Sequence, residues 1–202
     1  MPAPEYRYRP TRRQHRDDAF RLEAGGLEVD VAAGARTIAY DDIAEVRIQW
    51  SPASRWTPAR GSCLVTPRGG RPVAFSSHSV QPDRHEQHND AFRRFVDALV
   101  RRAAANPATR FTLGLTPGQR RAYVALIAVV ALVVALAAAA LATGAVNNSA
   151  MPLVLAVAVP AAIVAVLGFP PLIRNLRHNP PGSFEPRAPG WRGLWPGRGA
   201  NG

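Results

Sequence analysis

With 202 residues, 47% of them hydrophobic, and a formal charge of +11, the chain has room for one or two domains and carries a basic surface. Every one of its 25 basic residues is arginine, spread over both tails, a strand-rich region and one helix, and not gathered with aromatics on one element, which argues against nucleic acid as a partner. The lone Cys63 excludes an internal disulfide and fits a reducing compartment, while the arginine-only, Ala/Gly/Pro-rich composition points to a GC-rich bacterial genome.

The opening "MPAPEYRYRPTRRQHRDD" has charge but no apolar stretch behind it, so it does not read as a signal peptide; residues 1–17 are expected to form a disordered basic arm. From Asp18 an alternating pattern begins. Phe20, Leu22 and Ala24 alternate with Arg21 and Glu23, then Leu27, Val29 and Val31 with Glu28 and Asp30, which predicts a hairpin about Gly25–Gly26. Asp41–Asp42 break the next run; adjacent residues of an extended chain point apart, so the pair reads as a turn and not as cooperating carboxylates. In "IAEVRIQW" Val46, Ile48 and Trp50 face one way and Glu45, Arg47 and Gln49 the other. "RGSCLVTPRGGRPVAFSS" gives two more strands about Gly69–Gly70, where "PRGGR" is a surface turn or, alternatively, an amide- and guanidinium-lined phosphate site. Six short strands in about sixty residues predict an antiparallel meander, sandwich or partial barrel.

"HSVQPDRHEQHND" is the densest group of metal-ligating types. His85 and His88, three apart, would meet one metal on a helical turn with Asp83 or Asp90, and His78 stands nearby. The spacing is one residue short of the zincin pattern, and a polar loop with solvated side chains is the plainer reading, so no metal or other cofactor is expected. In "NDAFRRFVDALVRRAAANP" apolar Phe92, Phe95, Val96, Leu99, Val100 and Ala103 recur every three or four residues, predicting a capping helix over 89–105 with Asn89 as N-cap. Its polar side offers Arg93, Arg94, Arg101 and Arg102; with Arg120 and Arg121 at the end of a linker (106–121), these are the candidate lipid-facing basic residues.

Two apolar runs follow, 122–143 and 151–173, neither carrying a charge. At about 1.5 Å per residue each spans roughly 33 Å, enough to cross a bilayer core of about 30 Å, and the short uncharged "GAVNNSA" between them predicts a transmembrane hairpin. Ala131, Ala135 and Ala139, and Ala158 and Ala162, provide small-residue faces for close helix approach. Arg110, Arg120 and Arg121 precede the first run, Arg174 and Arg177 follow the second, and no basic residue lies between. The positive-inside tendency therefore places both termini in the cytoplasm, with an inner-membrane location. Residues 174–202, Pro- and Gly-rich, are expected to be a disordered tail in which Trp191 and Trp195 suit a membrane interface.

Strands followed by one amphipathic helix, together with "RTIAYDDIAEVRI" and its Ile38-x-Tyr40-x-x-Ile43-x-x-Val46 spacing, resemble bacterial members of the pleckstrin-homology superfamily, which are often joined to membrane helices. The resemblance covers residues 18–105. It implies an α+β domain, a small β-sandwich or partial barrel capped by the helix, and a binding or scaffolding role toward a protein partner or anionic lipid headgroups. Alternatives from other classes are an accessory subunit of a larger membrane enzyme or transporter, and a membrane-bound metal hydrolase using the His78–Asp90 segment. No nucleotide-binding or nucleophile-elbow motif is present, and neither apolar run has an ionisable residue of the kind ion-coupled transport needs, so a non-enzymatic role is expected.

Overall fold

A computed structural model describes residues 3–11, 14, 16–51, 59–80, 85–143, 151–178 and 180–186. The chain is α+β and divides into two units, one comprising residues 1–114 with 179–202, the other residues 115–178.

The first unit is built on alternation. β1 (Glu5–Tyr8), β2 (Asp18–Leu22), β3 (Gly26–Val31) and β4 (Gly34–Ala39) form an antiparallel meander in that order. A 3-10 turn at Tyr40–Asp42 leads to β5 (Ile43–Ser51), which pairs with β6 (Arg60–Pro67), which in turn pairs with β7 (Val73–Ser76). Both hairpins expected from the glycine pairs are present, Leu22 opposite Leu27 and Val65 opposite Val73. At Gly26 the backbone of Ile38 passes so close that no Cβ fits, and Gly70 takes a φ of +97° in the turn after β6. β8 (His78–Val80) and β9 (His85–Gln87) form a short antiparallel ladder before α1 (Asn89–Ala103). The expected cap shifts by one: His88 holds the N-cap position, and the Asn89 side chain reaches the Ala59 carbonyl instead.

The inward residues of both sheets and the apolar face of α1 share one core. Phe92, Val96 and Leu99 are fully buried and Phe95 nearly so, among Phe20, Phe75, Val46 and Val65. Rings meet ring edges here, with Phe75 5.8 Å from Phe92 and 5.6 Å from Phe95.

Three stretches depart from the sequence expectations. Residues 5–8 are not a disordered arm: β1 pairs with β2, and Tyr6 and Tyr8 are buried, their hydroxyls donating to the carbonyls of Ser76 and Ala74. The linker contains β10 (Arg110–Leu113), which adds to β5 in parallel, Phe111 beside Val46, so the domain continues past 105. The tail returns as β11 (Gly182–Ser183), antiparallel to β10, with the Phe184 ring 5.7 Å from Phe111. The second sheet therefore reads β11-β10-β5-β6-β7. The rest of the tail, with Trp191 and Trp195, lies outside the described residues.

Among the described residues Asp18 is the one buried carboxylate, paired opposite Tyr8. It accepts hydrogen bonds from the Gln14 side chain and the Ala32 amide, but burial outweighs them and holds its pKa above the usual carboxylate range. Burial first, and the Asp18 charge second, push the Tyr8 hydroxyl up to about 12. A raised folded-state pKa makes ionised Asp18 a cost to folding that is absent at acid pH and complete above that raised pKa. The difference in melting temperature between wild type and Asp18→Asn is expected to shift in favour of wild type as pH falls from neutrality toward 4. A difference that stays constant across paired melting curves would show that the carboxyl is not desolvated.

The second unit consists of α2 (Pro117–Ala142) and α3 (Met151–His178), which pack against each other. α2 begins five residues before the predicted apolar run, at a capping box in which Thr116 accepts from the Gln119 amide and the Gln119 side chain accepts from the Thr116 amide, with Pro117 in the first turn. α3 continues past Ile173 to His178. α2 is long and apolar enough to cross a membrane, and none of its most apolar stretch is buried. The connecting residues 144–150 lie outside the described residues.

Candidate functional site

Helix periodicity puts Arg93, Arg94, Arg101 and Arg102 on the side of α1 away from its apolar stripe, yet the four side chains have different environments. Arg102 turns back to the β2–β3 connection, donating to the carbonyls of Leu22 and Glu23 and to the Tyr40 hydroxyl. It ties the C-terminal end of the helix to the first sheet. Arg93 lies over the Trp50 ring, 4.9 Å from its centroid, a cation–π contact on β5. Arg101 pairs with Asp97 one turn back at 3.2 Å, and Arg94 is exposed. Two of the four arginines thus belong to the domain's own packing.

Arg120 and Arg121 are exposed on the first turns of α2. Later in the same unit's sequence, Arg174 and Arg177 are exposed in the last turns of α3. No acidic residue occurs anywhere from Leu115 to His178, so these four arginines have no counter-charge within their unit.

The histidine segment does not take the backbone that a shared metal was expected to need. Residues 85–87 are extended and paired with β8, Val80 opposite His85, while His88 sits at the helix cap, so His85 and His88 do not share a helical turn. The side chains of His85 and Glu86, and the whole of Asp83, lie outside the described residues. Among the described residues no three metal-ligating side chains cluster. Asp41 and Asp42 are exposed in the 3-10 turn and serve through their backbones, Asp42 accepting from the Arg68 amide and Asp41 from the Asn106 side chain. Cys63 is buried on β6, and desolvation pushes its thiol well above the ordinary range, which leaves it inert as a nucleophile.

Two polar features escaped the sequence reading. On the outer side of β5, Glu45 accepts from Arg47 and from the Thr112 hydroxyl, both at 2.6 Å, which fastens β10 to the sheet. Between the α1–β10 connection and the returning segment lies an open groove of 490 Å³. Phe111 and Phe184 meet along it, and Asn106, Arg110 and Glu185 stand among its lining. The surroundings of the two rings, "TRFTLG" at Phe111 and "SFEP" at Phe184, carry no distinctive spacing that would have hinted at it.

Compared with known proteins, the chain matches no family model, no curated protein and no solved structure.

Proposed function

We propose that this protein is a membrane-anchored, non-enzymatic binding or scaffolding module. On this reading α2 and α3 cross the bacterial inner membrane as a hairpin, both termini stay in the cytoplasm, and the β-domain is a pleckstrin-homology-like platform for a protein partner or anionic headgroups. The observation that carries the proposal is where apolar surface is exposed. Every large apolar side chain exposed among the described residues lies on α2 or α3, including Leu132 at 59%, Leu136 at 61% and Val166 at 70%. Among its described residues the β-domain leaves none. Two helices of 26 and 28 residues with such surfaces require an apolar surrounding, and neither has a charge between Arg121 and Arg174.

Chain geometry supports the hairpin. Eight residues join α2 to α3 and reach at most about 32 Å, while α2 alone is roughly 39 Å long, so packing side by side favours an antiparallel pair. Leu113 and Gly182 are partners in the β10–β11 ladder, and each lies four residues from its helix. That arrangement favours both outer helix ends on one side. The platform reading draws on a four-strand meander, a three-strand meander and a closing helix in that chain order. Its binding role is inferred from the architecture.

Reporter fusions test the proposal. Alkaline phosphatase is expected to be active when inserted at Asn148 and inactive at the C-terminus, with a cytosolic fluorescent reporter behaving in the opposite way. Fluorescence at Asn148, or release of the chain from membranes by alkaline carbonate, would refute it.

A further inference from the structure

We propose that Arg120 and Arg121 of α2, together with Arg174 and Arg177 of α3, form a binding collar for the phosphates of anionic lipid headgroups. The inference rests on the membrane reading above and adds a site and a ligand to it.

These are the only four charged residues between Leu115 and His178, and all carry the same sign. They flank 52 uncharged residues, two arginines on either side. All four are exposed, and no ion pair joins any of them to a described residue. In an antiparallel pair, the first turns of α2 and the last turns of α3 fall at the same end. Two helices thus bring four guanidinium groups to one level, just outside the apolar stretch. That level is where a bilayer places its phosphates.

The side-chain chemistry suits this position. An arginine stem lies along apolar surface while its guanidinium reaches outward, and the planar fork binds phosphate oxygens through two parallel hydrogen bonds. Arg174 and Arg177 are three apart and share a helix face, while Arg120 and Arg121, about 100° apart, extend the basic surface around α2. The basic face of α1 is less suited to the role. Arg102 is engaged with backbone carbonyls, Arg93 with Trp50 and Arg101 with Asp97. A ligand there would have to compete with bonds already made; at the helix ends it would supply the missing counter-charge.

The test uses the full chain purified in neutral detergent, where insertion orientation has no influence. Its melting temperature is measured with added phosphatidylglycerol, phosphatidylcholine or inorganic phosphate. Phosphatidylglycerol is expected to raise the midpoint and phosphatidylcholine to leave it nearly unchanged, with affinity falling about fivefold for each collar arginine changed to glutamine. The quadruple variant R120Q/R121Q/R174Q/R177Q should lose the phosphatidylglycerol response, the corresponding quadruple lysine variant should keep part of it, and R94Q/R101Q should keep all of it. An equal response to both lipids, a full response from the quadruple glutamine variant, or loss through R94Q/R101Q would overturn the collar. A response reproduced by inorganic phosphate alone would replace the lipid with a free anion. Carbonate extraction separates the two levels: release of wild-type chain refutes the membrane reading itself, whereas a retained chain with no lipid preference refutes only the collar.

Discussion

Phe92→Ala is expected to lower the stability of the β-domain by about 3–5 kcal/mol, comparable with the whole stability of many small domains. Phe92 is fully buried where three elements converge, its ring 5.9 Å from that of Tyr6 on β1 and 5.8 Å from that of Phe75 on β7. On β6, Gly61 leaves room for it; a Cβ there would come within 2.5 Å of the Phe92 ring. The fit is therefore close on several sides, and a cavity at this site has little freedom to collapse. Thermal unfolding of the full chain in mild detergent, followed by tryptophan fluorescence, provides the measurement. A midpoint within about 2 °C of wild type would show that α1 does not seal the core.

The second large effect is expected from Leu132→Arg, and its sign separates two environments. Leu132 is 59% exposed near the middle of α2. In water, exchanging an exposed leucine for arginine improves solubility and costs little. At the centre of a bilayer it costs about 2.5–3.5 kcal/mol of insertion free energy. The variant is expected to leave the membrane fraction in part and to be degraded, while Leu132→Ile behaves as wild type. Higher soluble yield of a folded Leu132→Arg chain would show that α2 faces water.

The core strands and α1 were legible because their signals are local. Val46, Ile48 and Trp50 alternate within one strand, and Phe92, Phe95, Val96 and Leu99 repeat within one helix. β1 carried the same alternation, Tyr6 and Tyr8 between Glu5 and Arg7, but four residues bounded by prolines and arginines gave too short a run to stand out. β10 and β11 owe their existence to partners far away in the chain: Phe111 joins Val46, and Ser183 joins Thr112. No local period encodes such pairings. The same limit governs the candidate site. Periodicity placed Arg102 on a polar face, but its bonds are to carbonyls about eighty residues earlier. In the histidine segment a three-residue spacing suggested a helical turn, whereas pairing with β8 made the backbone extended. The charge pattern around α2 and α3 needed no tertiary information, because it depends only on which residues flank an uncharged stretch.

The return of the chain as β11 also orders events in time. Thr112 leaves the ribosome with its outer edge bare, and its partner Ser183 follows only after both apolar helices have been made. The four-strand meander, the three-strand meander and α1 can assemble early from residues already synthesised. The edge of β10 cannot be covered by β11 until the chain has passed through both helices. Completion of the sheet then marks that both helices have been made, and a chain stalled halfway would present an open strand edge of the kind that chaperones and proteases recognise.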